Sequence, residues 1–338
     1  MRKALAALAL GLLALAGPPA LAADSTPREK PECAALTADP FADLKEVVKA
    51  GCTPSPAQIA RLLDNPVGNF IAVPFQFDAV EIEEPRTGTT KSLERFQVVP
   101  MFPIRLGSDW NLINRAVFPW MSVPVNRAFG SCVGYTPESL VTCPGFPEAL
   151  ADPFEPTGGF GDLVYVALAS PAKPARVKST GGSFIWGVGV TSMFPTASAE
   201  VLGTGRFSLG PAAVAGYLGK KWSLGLLAQQ WWSAGGDSSR GDVSTTNVQY
   251  FVFYTPPWGG KGEWRIGMSP NVSVNWEAKG DKVVFPVGLG LSKMVSAGKL
   301  PVRLLLEVDY SVVHPSDRPA SRWDLRFYVI PVIPTFLF

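Results

Sequence analysis

The sequence predicts an all-β fold, a transmembrane antiparallel up-and-down β-barrel of about 12 strands with a short helical N-terminal segment. Three observations predict it. First, 47% of the 338 residues are hydrophobic and only 17% are charged, too few for an ordinary polar-surfaced globule. Second, after the N-terminal leader no run reaches the roughly 18 apolar residues that a spanning helix needs. Third, apolar and polar residues alternate from residue 69 onward. A closed barrel is the remaining spanning structure that pairs every backbone group within lipid.

Residues 1–23 have the pattern of a secretory signal peptide. Arg2 and Lys3 form a positive start, an apolar stretch follows, and residues 20–22 (ALA) supply a cleavage site. Removing Arg2 and Lys3 from the 30 basic residues leaves 28 against 28 acidic ones, so no nucleic-acid partner is expected. We expect the mature protein in the cell outer membrane, with both termini in the periplasm.

Residues 24–66 differ from everything that follows and are expected to form a helical segment that either lies in the periplasm or plugs the barrel. Residues 39–50 and 55–64 have helical spacing, and each starts with a capping residue followed by proline. A simple linker is the alternative. The barrel itself is expected to occupy residues 67–338.

Four cysteines in a secreted chain permit two disulfides. Proximity favours Cys33 with Cys52 and Cys132 with Cys143, although four cysteines allow three connectivities. A zinc site is disfavoured because the chain has a single histidine. We therefore expect disulfides and no metal, and no cofactor.

Twelve alternating runs follow the helical segment. They lie near residues 69–78, 93–105, 110–123, 159–169, 183–194, 206–217, 222–233, 244–255, 263–276, 282–294, 300–313 and 322–338. Barrels of this class have short periplasmic turns and longer outer loops. The outer connections are expected at 79–92, 124–158, 195–205, 234–243, 277–281 and 314–321, and the inner ones include 107–109 and 170–182. Prolines in the runs, which cannot donate to a ladder, are expected at bulges or bends, and the faces of the third and fourth runs stay unassigned.

The stretch WRIGMSPNVSVNWEAKGD (264–281) has the clearest alternation. One parity is apolar from Trp264 through Pro270 to Trp276, and the other is polar. This span measures about 40 Å at roughly 3.3 Å per residue. Tilted by about 40°, it rises roughly 30 Å, close to the ~25 Å apolar band that lies between two aromatic girdles. We interpret Trp264 and Trp276 as membrane-interface anchors, Pro270 as a bulge facing lipid, and the polar parity as the lumen.

Charged residues of the last strands share the polar parity. The lumen-lining candidates are Arg265, Arg303, Glu307, Asp309, Asp324 and Arg326. They form either a structural ladder of ion pairs between strands eleven and twelve, which is the favoured interpretation, or a constriction that orients a polar group of a passing solute. The two roles are compatible. Strand glycines such as Gly288 and Gly290 are expected to allow curvature or to leave space in the lumen.

Catalysis is not expected. His314 with Ser316 and Asp317 is the combination that a hydrolase would need, but neighbours in a turn rarely adopt triad geometry. The RGD tripeptide at 240–242 is interpreted as part of a solvated hairpin loop rather than as an adhesive site.

The chain ends at Phe338, and a C-terminal strand that closes on phenylalanine resembles the signal by which the insertion machinery recognises outer-membrane barrels. Several segments resemble the outer-membrane proteins grouped under the meta-pathway of phenol degradation, often labelled transporters or, after the hormone, neuromedin U. Among these segments are DNPVGNFIAVPFQ (64–76), SDWNLINRAVFP (108–119), GGFGDLVYVALASP (158–171) and RWDLRFYVIPVIPTFLF (322–338). The resemblance covers residues 64–338, implies a barrel that passes hydrophobic or aromatic small molecules, and assigns no site residue.

Barrel size selects among functions. About 8 strands leave a filled interior and about 16 to 18 an open channel, so about 12 predict a narrow lumen. We predict a narrow passive channel for a small hydrophobic or aromatic solute, with the outer-membrane bilayer and the insertion machinery as its other partners. The alternative is a structural or surface-interaction barrel that works through the loop at 124–158, and an outer-membrane hydrolase is a more remote one.

Overall fold

A computed structural model of the chain describes residues 31–38, 44–55, 58–59, 65, 67–68, 70–85, 88–132, 142–258, 264–297 and 300–334. The signal peptide predicted at 1–23, the C-terminal Phe338 and most of the helix predicted at 55–64 lie outside these residues, and the predictions made for them stay predictions. Among the described residues, no helix has the length and apolar character needed to cross a bilayer.

The residues from Phe70 to Pro334 form a closed antiparallel barrel of twelve strands, which confirms the predicted fold class. The strands are β1 (Phe70–Ala72 and Phe75–Glu84), β2 (Thr89–Val98 and Met101–Leu106), β3 (Trp110–Val123), β4 (Thr157–Phe160, Leu163–Pro171 and Ala175–Val177), β5 (Gly182–Phe194), β6 (Arg206–Leu218), β7 (Trp222–Gly236), β8 (Ser244–Tyr254), β9 (Trp264–Met268 and Asn271–Asn275), β10 (Val283–Ala297), β11 (Leu300–Val313) and β12 (Ala320–Pro334). Each strand pairs with the next, and β12 pairs with β1, with Arg326 opposite Asp78. Closure leaves no sheet edge, so every strand has a neighbour on both sides.

Short helices lie outside the strands. They are α1 (Pro31–Ala38), α2 (Leu44–Lys49) and α3 (Phe146–Ala151), with 3₁₀ turns at Arg127–Cys132 and Glu200–Leu202. Helix α2 lies within the helix predicted at 39–50. Helix α1 was not predicted, because its sequence has no repeating apolar face. The Cys33–Cys52 disulfide and contacts with Val47 hold it against α2, and both are tertiary interactions.

The two ends of the barrel differ. At the turn end, where β1 begins, the chain reverses in tight turns such as 107–109, in which Gly107 takes the left-handed φ of 74°. At the loop end the connections are longer, and the one between β3 and β4 is closed by the Cys132–Cys143 disulfide. Both disulfides follow the pairing that proximity favours.

The predicted outer connection at 79–92 is wrong, since most of it is strand. β1 continues to Glu84 and β2 begins at Thr89, and Phe75–Glu84 pairs with Thr89–Val98 without a break. The outward residues of this hairpin include acids such as Glu81 and Glu83, which made the stretch look like a loop, while inward Val80 is buried. The predicted inner connection at 170–182 also contains strand, because Ala175–Val177 pairs with the start of β5.

Two belts of aromatic side chains lie on the outer surface. Toward the loop end, neighbouring ring centroids lie 4.7–6.4 Å apart along the series Phe327, Phe77, Phe96, Trp120 and Phe160. Toward the turn end, Trp110 contacts Trp186 at 5.7 Å and Trp222 contacts Tyr254 at 4.8 Å. Aromatic girdles at two levels are typical of a barrel that spans a bilayer.

Apolar side chains between the belts face outward. Val188, Leu226 and Leu289 are exposed, Leu289 to 68%. Trp264 lies at the turn end of β9 with the ammonium of Lys293 4.7 Å from its ring centroid, and Trp276, at the loop end, donates from Nε1 to Thr246 Oγ1 at 2.8 Å. The two tryptophans therefore lie at opposite ends of β9, as the alternation indicates.

Strand β9 is interrupted at Ser269 and Pro270, where its ladder with β10 is broken. Proline has no N–H to donate. Tyr250 of β8 spans the gap, because its hydroxyl donates to the carbonyl of Pro286 on β10 at 2.7 Å and its backbone N–H donates to the carbonyl of Pro270 at 3.2 Å. The irregularity predicted at Pro270 is present. The proline is buried instead of facing lipid, since Tyr250 reaches across β9 on the outer face.

Replacing Tyr250 with phenylalanine is expected to lower the free energy of unfolding by about 1–3 kcal/mol, because the carbonyl of Pro286 loses its donor where no water replaces it. Urea unfolding in detergent micelles measures the effect. The matched control is Tyr254→Phe, since the Tyr254 ring contacts Trp222 and its hydroxyl bonds to no described residue. Equal losses in both variants would contradict this role of Tyr250.

Candidate functional site

The barrel interior contains two cavities that follow one another along the axis. The larger, of about 570 Å³, lies toward the loop end and is called the vestibule. The smaller, of about 200 Å³, lies toward the turn end and is called the chamber. The alternating strands build both, because every second side chain points inward.

The vestibule wall is mixed in character. It includes the amides Gln97, Gln229, Asn247 and Asn271 and the charged groups Arg95, Arg115, Arg326, Asp309 and Asp324, together with apolar side chains such as Val80, Val117 and Val164. The charged and amide groups favour a water-filled entrance.

The chamber wall is mainly apolar. Phe253, Leu305 and Tyr328 form one cluster of buried side chains on it, and Phe251 packs against them. Its other apolar lining residues include Ile113, Leu168, Val214 and Leu227. Two charged side chains also line it, Arg115 and Arg303, and the guanidinium carbon of Arg303 lies 6.0 Å from the ring centroid of Phe253. The chamber therefore suits an apolar guest more than water.

A single side-chain bridge lies where the two cavities meet. Gln76, Arg115, Val166 and Gln249 line both cavities. Arg115 of β3 donates from Nη1 to Gln249 Oε1 of β8 at 3.2 Å, between strands that lie far apart around the wall. This hydrogen bond crosses the lumen and marks its constriction.

Arg326 of β12 is the centre of a buried ionic cluster. Its guanidinium lies 3.2 Å from Asp309, 3.7 Å from Glu307, 3.8 Å from Asp78 and 3.9 Å from Asp324. Asp78 also pairs with Arg95 of β2 at 2.6 Å. The cluster thus ties β11, β12, β1 and β2 together from the inside, and removing its central cation would leave several buried carboxylates without compensation.

The cluster extends over β10 to the broken ladder of β9. Glu307 accepts hydrogen bonds from the backbone N–H of Ser269 at 2.6 Å and from its hydroxyl at 3.0 Å, and Arg326 donates to the Ser269 carbonyl at 3.0 Å. The side chains of Asp309 and Glu307 lie over inward positions of β10 that are occupied by glycine. A Cβ at Gly288 would collide with Asp309, and one at Gly290 would crowd Glu307. These glycines therefore make the space that the cluster occupies.

The six predicted lumen residues are divided among four places. Asp309, Asp324 and Arg326 line the vestibule, and Arg303 lines the chamber. Glu307 is fully buried beneath the cluster. Arg265 lies nearer the turn end, where it donates to Ser223 Oγ at 2.9 Å, and it is not among the described residues that line either cavity.

The lumen residues that were not predicted include Asp78, Arg95, Arg115 and Gln249. Asp78 fell at the end of the first predicted run, which stopped before the strand did. Arg115 lies on β3, whose faces the alternation left unassigned because Asn114 and Arg115 carry polar groups on both parities. The sequence signal for Arg115 is weak. The odd-numbered residues of β3 from Asn111 to Val117 lie on the inner face of the barrel, because they pair with residues of β4 that face the lumen.

The N-terminal segment contacts the inside of the barrel at the turn end. Val67 belongs to the cluster of lumen residues that includes Ile113, Val166 and Leu227. Farther back, Ile59 and Leu44 pack against Met294 of β10. Gln58 fixes this piece of chain to α1 by donating to the carbonyl of Leu36 at 2.8 Å. The segment therefore lies against the turn-end mouth.

The residues of the remote hydrolase hypothesis are not arranged as a triad. Ser316 donates to Asp281 Oδ2 at 2.7 Å, and this bond, with the Ser316 N–H, lowers the pKa of Asp281. His314 Nε2 faces the guanidinium of Arg322, and Asp317 pairs with Arg318 at 3.1 Å. Each of the three side chains is thus engaged by a different neighbour, and His314 and Asp317 do not form hydrogen bonds with Ser316 among the described contacts.

The RGD tripeptide is held within the loops. Arg240 donates to the carbonyls of Thr204 at 3.1 Å and Glu200 at 2.9 Å, and Asp242 forms an ion pair with Arg206. Hydrogen bonds from Ser239 lower the pKa of Asp237 in the same loop. These contacts agree with the interpretation as an ordinary hairpin loop. Within the described part of the chain, no group of three or more His, Cys, Asp or Glu side chains is placed to hold a metal.

Comparisons with known proteins bear on the fold. No family model and no curated protein matches the chain. Among solved structures, the COG4313 outer membrane channel from Pseudomonas putida F1 is 16% identical, with a TM-score of 0.50 over 79% of this chain and 96% of that chain. Outer membrane phospholipase A from Escherichia coli is 14% identical, with a TM-score of 0.37 over 79% and 93%. The CymD monoaromatic hydrocarbon channel is 10% identical, with a TM-score of 0.36 over 83% and 91%.

The first likeness shows that the chain has the fold of an outer-membrane β-barrel, and the other two are too distant to support an argument. The resemblance to the phenol meta-pathway family stays a prediction.

Proposed function

We propose that this protein is a narrow passive channel of the outer membrane for small hydrophobic or aromatic compounds. The observation that carries the proposal is the sequence of spaces inside the barrel, a vestibule with many charged and amide side chains followed by a mainly apolar chamber of about 200 Å³. A solute that leaves water through the vestibule meets an apolar site of its own size, and the narrow passage excludes larger solutes.

The outer surface supports a place in the outer membrane. The aromatic belts and the apolar band between them match the two interfaces and the hydrocarbon core of a bilayer, with Trp264 and Trp276 as anchors of β9. The signal peptide at 1–23, insertion through the C-terminal strand that ends at Phe338, and periplasmic termini complete this proposal.

The N-terminal segment of residues 24–66 acts as a plug in this proposal. The contacts of Ile59 and Leu44 with Met294 support it, because they lie at the mouth through which a solute would leave. The Cys33–Cys52 disulfide keeps the segment compact.

The second candidate is a structural or surface-interaction barrel without transport. The loop between β3 and β4 favours it, since the Cys132–Cys143 disulfide, helix α3 and a hydrogen bond from Asn126 Nδ2 to the carbonyl of Asp152 at 2.9 Å hold the described parts of this loop, residues 124–132 and 142–156, together. A fixed outer surface suits recognition.

Planar-bilayer conductance and solute uptake by liposomes separate the two candidates. The purified protein is expected to conduct small ions and to admit small aromatic solutes while excluding larger sugars. Absence of both conductance and solute flux, with the full chain and after deletion of residues 24–63, would contradict the channel and leave the second candidate. Heat-modifiable migration on gels verifies that each sample is a folded barrel.

A further inference from the structure

Arg115 differs from the other two cations of the vestibule in what it bonds to. Arg95 pairs with Asp78 at 2.6 Å, and Arg326 pairs with Asp309 at 3.2 Å. Among the described residues, the polar partner of Arg115 is the uncharged amide of Gln249. Its guanidinium therefore keeps a positive charge that no described carboxylate balances, at the place where the two cavities meet.

Arg115 places a positive charge next to the apolar chamber. Its side chain lines both cavities, so that the guanidinium lies beside the loop-end side of the chamber. The lining of the chamber includes Phe251, Phe253 and Tyr328, which offer ring faces and edges to an aromatic guest. One small molecule can therefore contact both the guanidinium of Arg115 and the aromatic side chains of the chamber.

The volume of the chamber suits a guest with a single aromatic ring. An engineered apolar cavity of roughly 150 Å³ binds benzene. The chamber, at about 200 Å³, has room for such a ring with a small substituent.

We infer that Arg115 binds the carboxylate of a single-ring aromatic acid whose ring occupies the chamber. A guanidinium presents two N–H groups in the geometry of a carboxylate, and this bidentate, charge-assisted pair is stronger than the bond to the amide of Gln249 that it replaces. The inference rests on the proposed channel function and narrows its solute to an amphipathic class.

Calorimetric titration of the full-length protein in detergent with sodium benzoate at neutral pH tests the inference. We expect saturable binding of one benzoate. The Arg115→Gln variant should bind benzoate roughly 10- to 100-fold more weakly, the loss expected for a hydrogen-bonded charge pair. Benzamide, which has nearly the same shape and no charge, should bind weakly to both proteins. Arg105→Gln is the matched control, since it removes an exposed cation of β2 that is not among the described residues lining either cavity, and it should leave benzoate binding unchanged.

A second variant keeps the test decisive if Arg115→Gln does not fold. Gln249→Leu retains the cation and removes its competing partner, so it should bind benzoate as tightly as the unchanged protein or more tightly. Loss of binding in Gln249→Leu, unchanged binding in Arg115→Gln, or equal affinity for benzamide and benzoate would overturn the inference. Ion conductance without benzoate binding would overturn it while leaving the channel intact. Benzoate binding without conductance would support it and contradict the channel.

Discussion

Replacing Arg326 with leucine is expected to lower the free energy of unfolding by about 3–5 kcal/mol, the usual cost of leaving buried charges without a partner. Arg326 lies within 3.2–3.9 Å of four carboxylates, and three of them, on Asp78, Glu307 and Asp309, are almost fully buried. Without the guanidinium these acids repel one another, and the carbonyl of Ser269 loses its donor. The midpoint of urea unfolding in detergent, followed by tryptophan fluorescence, measures the loss.

The matched control is Arg322→Leu, on the same strand. Arg322 pairs with Glu83 at 2.7 Å, but both side chains are partly exposed toward the loop end, so the expected loss is at most about 1 kcal/mol. A second control adds Asp309→Asn and Asp324→Asn to Arg326→Leu, which should recover part of the stability because fewer like charges remain. If the two arginine variants lose the same stability, or if the added substitutions recover none, the cluster does not have this role.

Deletion of residues 24–63 is expected to raise the single-channel conductance several-fold. In the full chain, Ile59 and Leu44 pack on Met294 at the turn-end mouth, and the removal of this segment should widen the exit from the chamber. The Arg115–Gln249 bridge stays in place, so selectivity against large solutes should persist. Planar-bilayer recording of the full and the shortened protein measures both quantities.

A point variant gives the same comparison without shortening the chain. Ile59→Asp places a charge at a contact where burial of the isoleucine is worth about 1.5–3 kcal/mol, so the segment should leave the mouth and the conductance should rise. Glu46→Gln changes an exposed residue of α2 and should have no effect. Unchanged conductance in both the deletion and Ile59→Asp would show that the segment does not obstruct the mouth.

The sequence was sufficient for the fold class because a barrel strand has a simple signal. Side chains alternate with a period of two, and lipid on one side with a lumen on the other keeps the two parities chemically distinct, as β9 shows from Trp264 to Trp276. The alternation of apolar and polar residues failed to identify strands where the outer face of the barrel meets water. Beyond the lipid the outward residues of the β1–β2 hairpin can be acidic, so a projecting strand looks like a loop.

The candidate site was predicted only in part, for a related reason. Alternation assigns Arg303, Asp309 and Arg326 to the inside because their strands have one charged and one apolar face. It gives no information about which inward side chains meet across the lumen. Arg115 and Gln249 are 134 residues apart, and only the curvature of the closed wall brings them together.

By itself, the sequence determined that the chain forms an antiparallel barrel of about twelve strands, and it determined their order and the facing of strands near the C-terminal end. These features follow from local periodicity and from the requirement that every backbone group within lipid be paired. The tertiary structure alone decided where the lumen narrows and which cation keeps an unbalanced charge there. It also decided that Arg326 contacts several carboxylates in the space above Gly288 and Gly290, and where the N-terminal segment lies. The physical reason is that these features depend on distances between strands that are far apart in the sequence. The shape of the closed barrel sets those distances.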